Sequence, residues 1–149
     1  YLIPRDGKKL DTSSYVSLED ILLDLSKLSV LENINSITIF LDVKYINFEE
    51  AIENYKYPKL SKKLCLLASS SSKETSNEID DMKHSVFSYF LMKGLKGDAY
   101  GDDKILEIGE LAEYLYRKIP DYTKNLENGV LQNPEFIGSD LKRVLIDLR

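Results

Sequence analysis

Ile37-Thr38-Ile39-Phe40-Leu41 and Leu64-Cys65-Leu66-Leu67-Ala68 are the stretches whose reading decides the fold of this chain. The first is apolar on both alternations and rich in β-branched residues. A strand with apolar side chains on both faces belongs in a sheet covered on both sides by helices. The second repeats the pattern after a helical stretch over about 48–55. Strand, helix, strand in that order predicts a right-handed parallel crossover, and therefore an α/β fold.

Toward the N-terminus, Ser17-Leu18-Glu19-Asp20 has the spacing of a capping box, with the Ser17 hydroxyl placed to accept an N–H of the first turn. Leu18, Ile21, Leu22, Leu25 and Leu28 recur behind it at three- and four-residue steps, the apolar face of a helix over 18–28. Tyr1-Leu2-Ile3-Pro4-Arg5-Asp6-Gly7 reads as the tail of a strand stopped by turn residues. Toward the C-terminus, the four serines of 69–72 open a polar loop reaching residue 81, at the end of a buried strand where open α/β sheets keep ligand sites. His84 to Lys93 reads as a helix with Val86, Phe87, Phe90 and Leu91 on one face and Gly94 at C′. Ile108 to Ile119 reads as another, with Leu111, Tyr114 and Leu115 inward and Pro120 ending it. Residues 122–139 read mostly as loop, and Arg143-Val144-Leu145-Ile146-Asp147 as a last strand.

The chain has 149 residues, 43% of them apolar and 30% charged, which fits one globular domain over 1–149 and excludes a disordered chain. Twenty Lys+Arg against 25 Asp+Glu, a net charge of −5, lack the basic footprint of a nucleic-acid binder. Cys65 is the single cysteine, so neither an intrachain disulfide nor a Cys-rich zinc cluster is expected. Apolar runs are far short of the ~20 residues that span a bilayer. The expectation is a cytoplasmic protein without membrane or nucleic-acid partners.

Several segments together resemble the caspase-like cysteine peptidases (the peptidase C14 group), in particular the bacterial caspase and metacaspase type. Leu41-Asp42-Val43-Lys44-Tyr45-Ile46-Asn47 falls where that family carries Asp-Ala-Cys-(Tyr/Phe)-Ser-Gly, and Leu67-Ala68-Ser69-Ser70 is similar to its Ala-Ala-Ser strand end. The run from Lys83-His84-Ser85-Val86-Phe87-Ser88-Tyr89 to Lys96-Gly97-Asp98-Ala99 is very similar to Lys-His-Gly-Leu-Phe-Thr-Tyr and onward to Lys-Gly-Asp-Ala. Gly109-Glu110-Leu111 with Tyr114, Gln132-Asn133-Pro134 to Gly138, and Tyr1-Leu2-Ile3-Pro4-Arg5-Asp6 follow the family pattern in order. The resemblance implies a caspase-like three-layer sandwich with a mostly parallel sheet. This chain would hold the later part of that domain, its first strands lying upstream and one sheet edge left unpaired.

Cysteine peptidase chemistry needs a thiolate beside an imidazole, which lowers the thiol pKa and then protonates the leaving amine. Lys44 occupies the nucleophile position. With an ordinary pKa near 10.4, only about 0.04% of a lysine is neutral at pH 7, and it forms no thioester. Ile46-Asn47 also replace Ser-Gly in the turn that aims the nucleophile. The histidine partner, about 50 residues ahead of the cysteine in caspases, would lie upstream of Tyr1. His84 is expected to cap its helix and Cys65 to pack in the core. No catalytic pair is therefore intact. Asp42 matches a family position that lines an acidic pocket for Arg or Lys. With Ser76 and Glu78 it forms the expected substrate-binding set, the alternative being a charge pair between Asp42 and Lys44. Residues 98–110 resemble a worn EF-hand loop in which Tyr100 replaces an acid; a solvated acidic loop is the preferred reading over calcium binding. No metal or other cofactor is expected. The expected function is a pseudoprotease, regulator or scaffold that binds a polypeptide or a protein partner, an active caspase-like relative among them. The alternatives are an active endopeptidase cutting after basic residues, and a plain interaction domain.

Overall fold

The structure, a computed structural model, describes residues 11–43, 63–71, 74, 78–79, 84–126 and 130–149. The expected strand at the N-terminus, the helix over 48–55, and Lys44, Ile46, Asn47 and Ser76 lie outside the described residues.

After a short 3-10 turn, Thr12–Ser14, helix α1 spans Leu18–Leu28. It begins where its cap predicts: the Ser17 hydroxyl accepts the Asp20 N–H at 3.1 Å. Leu18 and Leu22 are buried against Leu66 and Ala68, with Ile39, Leu41 and Val43 beside them. Leu28, expected on the same face, is the last residue of the helix and is 44% exposed.

Strands β1 (Ile37–Leu41) and β2 (Leu64–Ala68) pair in parallel, Ile37 opposite Leu64 and Leu41 opposite Ala68. Every residue of β2 is buried. Its side chains alternate between two cores: Leu66 and Ala68 face α1, while Leu67 faces the larger cluster. For β1 the expected burial on both faces is corrected: it is half-buried, with Phe40 37% exposed. The reason is position, since β2 lies between two described neighbours and β1 at the outside of them. The other neighbour is β6 (Glu135–Ile137), which runs antiparallel to β2 and lies in a stretch expected to be loop. Among the described strands of this sheet, one pair is therefore parallel and the third strand antiparallel.

Strands β3 (Glu78–Ile79) and β4 (His84–Ser85) form a small antiparallel ribbon, and β5 (Ile105–Glu107) pairs antiparallel with β7 (Val144–Asp147). The last strand is thus where the sequence places it, but it joins a strand inside the expected acidic loop. Helix α2 (Val86–Lys93) continues into a wide π-type turn, Gly94–Asp98, and helix α3 spans Ile108–Thr123. Val86, Phe87 and Phe90 pack on Leu106, Leu111, Tyr114, Leu115 and Ile119 as the main core. Phe90 meets Tyr114 and Tyr122 edge-on, with ring centroids 6.5 and 5.6 Å apart.

Three boundaries differ from expectation. The α2 cap is Ser85, whose hydroxyl accepts the Ser88 N–H at 3.0 Å, while His84 is exposed in β4. Gly94 keeps helical φ/ψ of −57° and −47°, and the left-handed break comes at Gly97, φ 135°. Gly94 is needed for closeness instead: a Cβ there would stand 2.7 Å from Leu111 Cδ1. Pro120 lies inside α3, not at its end. The turn beyond it is held because the buried Thr123 hydroxyl donates to Ile119 O at 3.0 Å and the Lys124 N–H to Pro120 O at 3.0 Å.

Buried Arg143 ties the layers together. Its Nη1 donates to Ile37 O at 3.0 Å, at the start of β1, and its own carbonyl accepts the Ile108 N–H at 2.9 Å, at the start of α3. In sum, the described residues form a mixed α/β fold, and no helix among them is long and apolar enough to cross a membrane.

Candidate functional site

Both parallel strands release their chains at the same edge. Beyond β1 come Asp42 and Val43, and beyond β2 come Ser69 and Ser70. The Ser69 N–H extends the ladder to Leu41 O at 2.9 Å. Its hydroxyl then replaces a strand partner: it accepts the Val43 N–H at 3.2 Å and donates to Val43 O at 3.0 Å. One short side chain thus satisfies both backbone groups of the residue before Lys44, and it fixes where the chain leaves the sheet.

Behind this edge runs a buried polar chain. Gln132, fully buried, donates Nε2–H to Ser69 O at 2.7 Å, while its backbone N–H goes to the Thr123 hydroxyl at 3.1 Å. Glu74 receives the Asn133 backbone N–H and side-chain amide at 2.6 Å each, and the Ser71 N–H reaches Asn133 O at 2.9 Å. The serine loop is therefore braced against the segment leading into β6.

Asp42 is exposed, and its Oδ2 accepts hydroxyl hydrogen bonds from both Ser85 and Ser88. These are the cap and the third residue of α2, so the carboxylate stands at the positive end of that helix. Of the expected binding set, Glu78 is present through its backbone, opposite Ser85 in the β3–β4 ribbon. Its side chain, like Ser76 and Lys44, lies outside the described residues. The structure thus brings Asp42 and the backbone of Glu78 to one shared residue, Ser85. Sequence reasoning missed Ser85 and Ser88 as partners of Asp42. The available signal was Ser85 immediately before the apolar run Val86-Phe87, which marks a cap but does not name the carboxylate that meets it.

Cys65 is fully buried in the middle of β2, and burial pushes its thiol pKa up, opposed in part by the Arg143 charge. A Cβ at Gly138 would stand 2.8 Å from its Sγ. This is the setting of a packing thiol. His84 is exposed and pairs with Ile79 through its backbone.

Several carboxylates of the 98–110 stretch are engaged by other groups of the chain. Asp98 accepts the Tyr114 hydroxyl at 3.3 Å and faces Lys93 at 3.4 Å; Asp103 accepts the Ile105 N–H at 3.1 Å, and Glu110 the Glu107 N–H at 2.9 Å. Burial and the Asp98 charge push the Tyr114 phenol up to about 12. A shallow cleft of about 230 Å³ opens here between Asp98, Tyr100, Glu110, Glu113 and Arg117. Among the described residues, no group of three or more His, Cys, Asp or Glu is arranged to hold a metal ion.

Compared with family models, with curated proteins and with solved structures, the chain matches none.

Proposed function

We propose that this chain is the later part of a caspase-like domain, a three-layer sandwich of the peptidase C14 type, that has lost cysteine endopeptidase chemistry and acts by binding a polypeptide. The observation that carries the reading is the strand edge itself. Asp42 and Val43 leave a parallel strand beside Ser69, and the next residue, at the place of a cysteine nucleophile, is Lys44. An ammonium group there attracts no acyl carbon. The thiol that the chain does carry, Cys65, is shut inside β2. Asp42 supplies an exposed carboxylate at that edge for an Arg or Lys side chain of the bound polypeptide, and the family resemblance adds Ser76 and Glu78 to its binding set. The partner is a substrate-like peptide or a caspase-like relative, met in the cytoplasm.

The test offers the protein fluorogenic peptides ending in Arg or Lys, a cysteine-reactive peptide probe, and an unreactive Arg peptide. The reading expects no turnover, no labelling of Cys65, and binding of the Arg peptide that disappears in Asp42→Ala. Turnover, or specific acylation of any side chain, would establish a working endopeptidase instead. Peptide binding that survives Asp42→Ala would leave only a plain interaction domain.

A further inference from the structure

We propose that Asp42 works as a latch: its carboxylate braces the serine cap of helix α2 in the free protein, and a cationic ligand must draw it away from that helix to bind. The inference rests on the reading above, in which Asp42 receives a basic side chain, and it adds a control on that site.

The geometry places two demands on one oxygen. Asp42 Oδ2 accepts the hydroxyls of Ser85 and Ser88, residues 43 and 46 positions away in sequence. The Ser85 hydroxyl in turn accepts the Ser88 N–H at 3.0 Å, the cap of the first turn of α2. A hydroxyl that donates to a carboxylate is oriented by it and becomes a better acceptor, so carboxylate, cap and helix start form one relay. The positive end of the helix dipole adds to the hold on the anion. On the other side, Val43 is clamped to Ser69 through both of its backbone groups. Motion of Asp42 toward a ligand is therefore confined to its side chain, and it costs the hydroxyl bonds. Binding and helix capping oppose each other.

Ser88→Ala is the clean variant. It deletes one hydroxyl donor, keeps the Ser85 cap, and places a good helix former in α2. Affinity is measured by calorimetry with an acetylated peptide containing one Arg, against its norleucine counterpart. Amide exchange of Ser88 is followed by NMR in the free and peptide-saturated protein. The latch predicts that Ser88→Ala binds the Arg peptide about three- to tenfold more tightly, the worth of one hydrogen bond to an exposed charge. It also predicts that saturating Arg peptide speeds Ser88 amide exchange in the wild-type protein, as Asp42→Ala does without peptide. Equal or weaker binding by Ser88→Ala overturns the latch, and so does Ser88 exchange that is unchanged in Asp42→Ala. If no protein binds the Arg peptide while Asp42→Ala still speeds exchange, the peptide-binding reading has failed and Asp42 only braces the Ser85 cap.

Discussion

Replacing Gly94 with alanine tests the packing that holds α2 against α3. Two effects of opposite sign meet at this residue. Its φ/ψ are helical, so alanine should be favoured over glycine by about 1 kcal/mol from backbone entropy. Against that, the new methyl would stand 2.7 Å from Leu111 Cδ1, 3.2 Å from Tyr114 Cδ1 and 3.4 Å from Ala99 Cβ. Leu111 is fully buried and Tyr114 4% exposed within the main core, so neither has room to yield. Overpacking of this kind costs roughly 1–3 kcal/mol, and it should exceed the propensity gain. Taking the middle of that range, the net expectation is a loss of about 1 kcal/mol. With a urea slope of ~1.5 kcal/mol/M, the midpoint should fall by about 0.7 M. The melting temperature should fall by roughly 2–4 °C. A double-mutant cycle isolates the cause. Leu111→Ala alone leaves a cavity and costs about 2–5 kcal/mol, but it removes the clashing atom, so Gly94→Ala should become neutral or stabilising in that background. Gly97→Ala is the contrast: nothing stands within 4 Å, but φ is 135°, so its cost comes from the backbone and should not respond to Leu111→Ala. A Gly94→Ala protein as stable as wild type would refute the reasoning.

Thr123→Val should cost roughly 1–3 kcal/mol in urea denaturation, because the same shape without the hydroxyl strands the buried N–H of Gln132; a loss below ~0.5 kcal/mol would count against the polar chain behind the sheet edge. Tyr114 ties stability to alkaline pH. Its phenol is raised to about 12 when folded and is near 10 when unfolded, so its contribution is complete below pH ~10 and fades as pH rises toward 12. Unfolding titrations should show that decline, and Tyr114→Phe should show less of it. Cys65 should react with a chromogenic disulfide at pH 8 no faster than the protein opens, and at full speed in denaturant; rapid native labelling would mean that β2 is not the closed strand described here.

Much of the scaffold was legible because its signals are local. The serine before α1, the three- and four-residue apolar spacing behind it, and the unbroken apolar runs of β1 and β2 each act within a few residues. The misreadings came where a local preference met a stronger tertiary one. Proline at position 120 predicts a helix end, but the Thr123 hydroxyl and the packing of Tyr122 on Phe90 carry α3 past it. Three residues of β6 are too few for any periodicity, and only their pairing with β2 makes them a strand. Glycine at 94 looked like a helix stop; it is a contact residue, and Gly97 is the turn. At the candidate site, Asp42 was singled out from its own segment, but nothing near it in the chain pointed to Ser85 and Ser88.

The sequence by itself determined where α1 and α3 begin, which strands are apolar throughout, and that an ammonium group follows Asp42-Val43, because side-chain spacing, capping chemistry and charge are properties of neighbouring residues. Only the tertiary structure decided which face of β1 is covered, which glycine lets two helices touch, and which hydroxyls hold the Asp42 carboxylate. Those depend on contacts between residues tens of positions apart, and such contacts exist only once burial of the core has brought the strand edge and the start of α2 together.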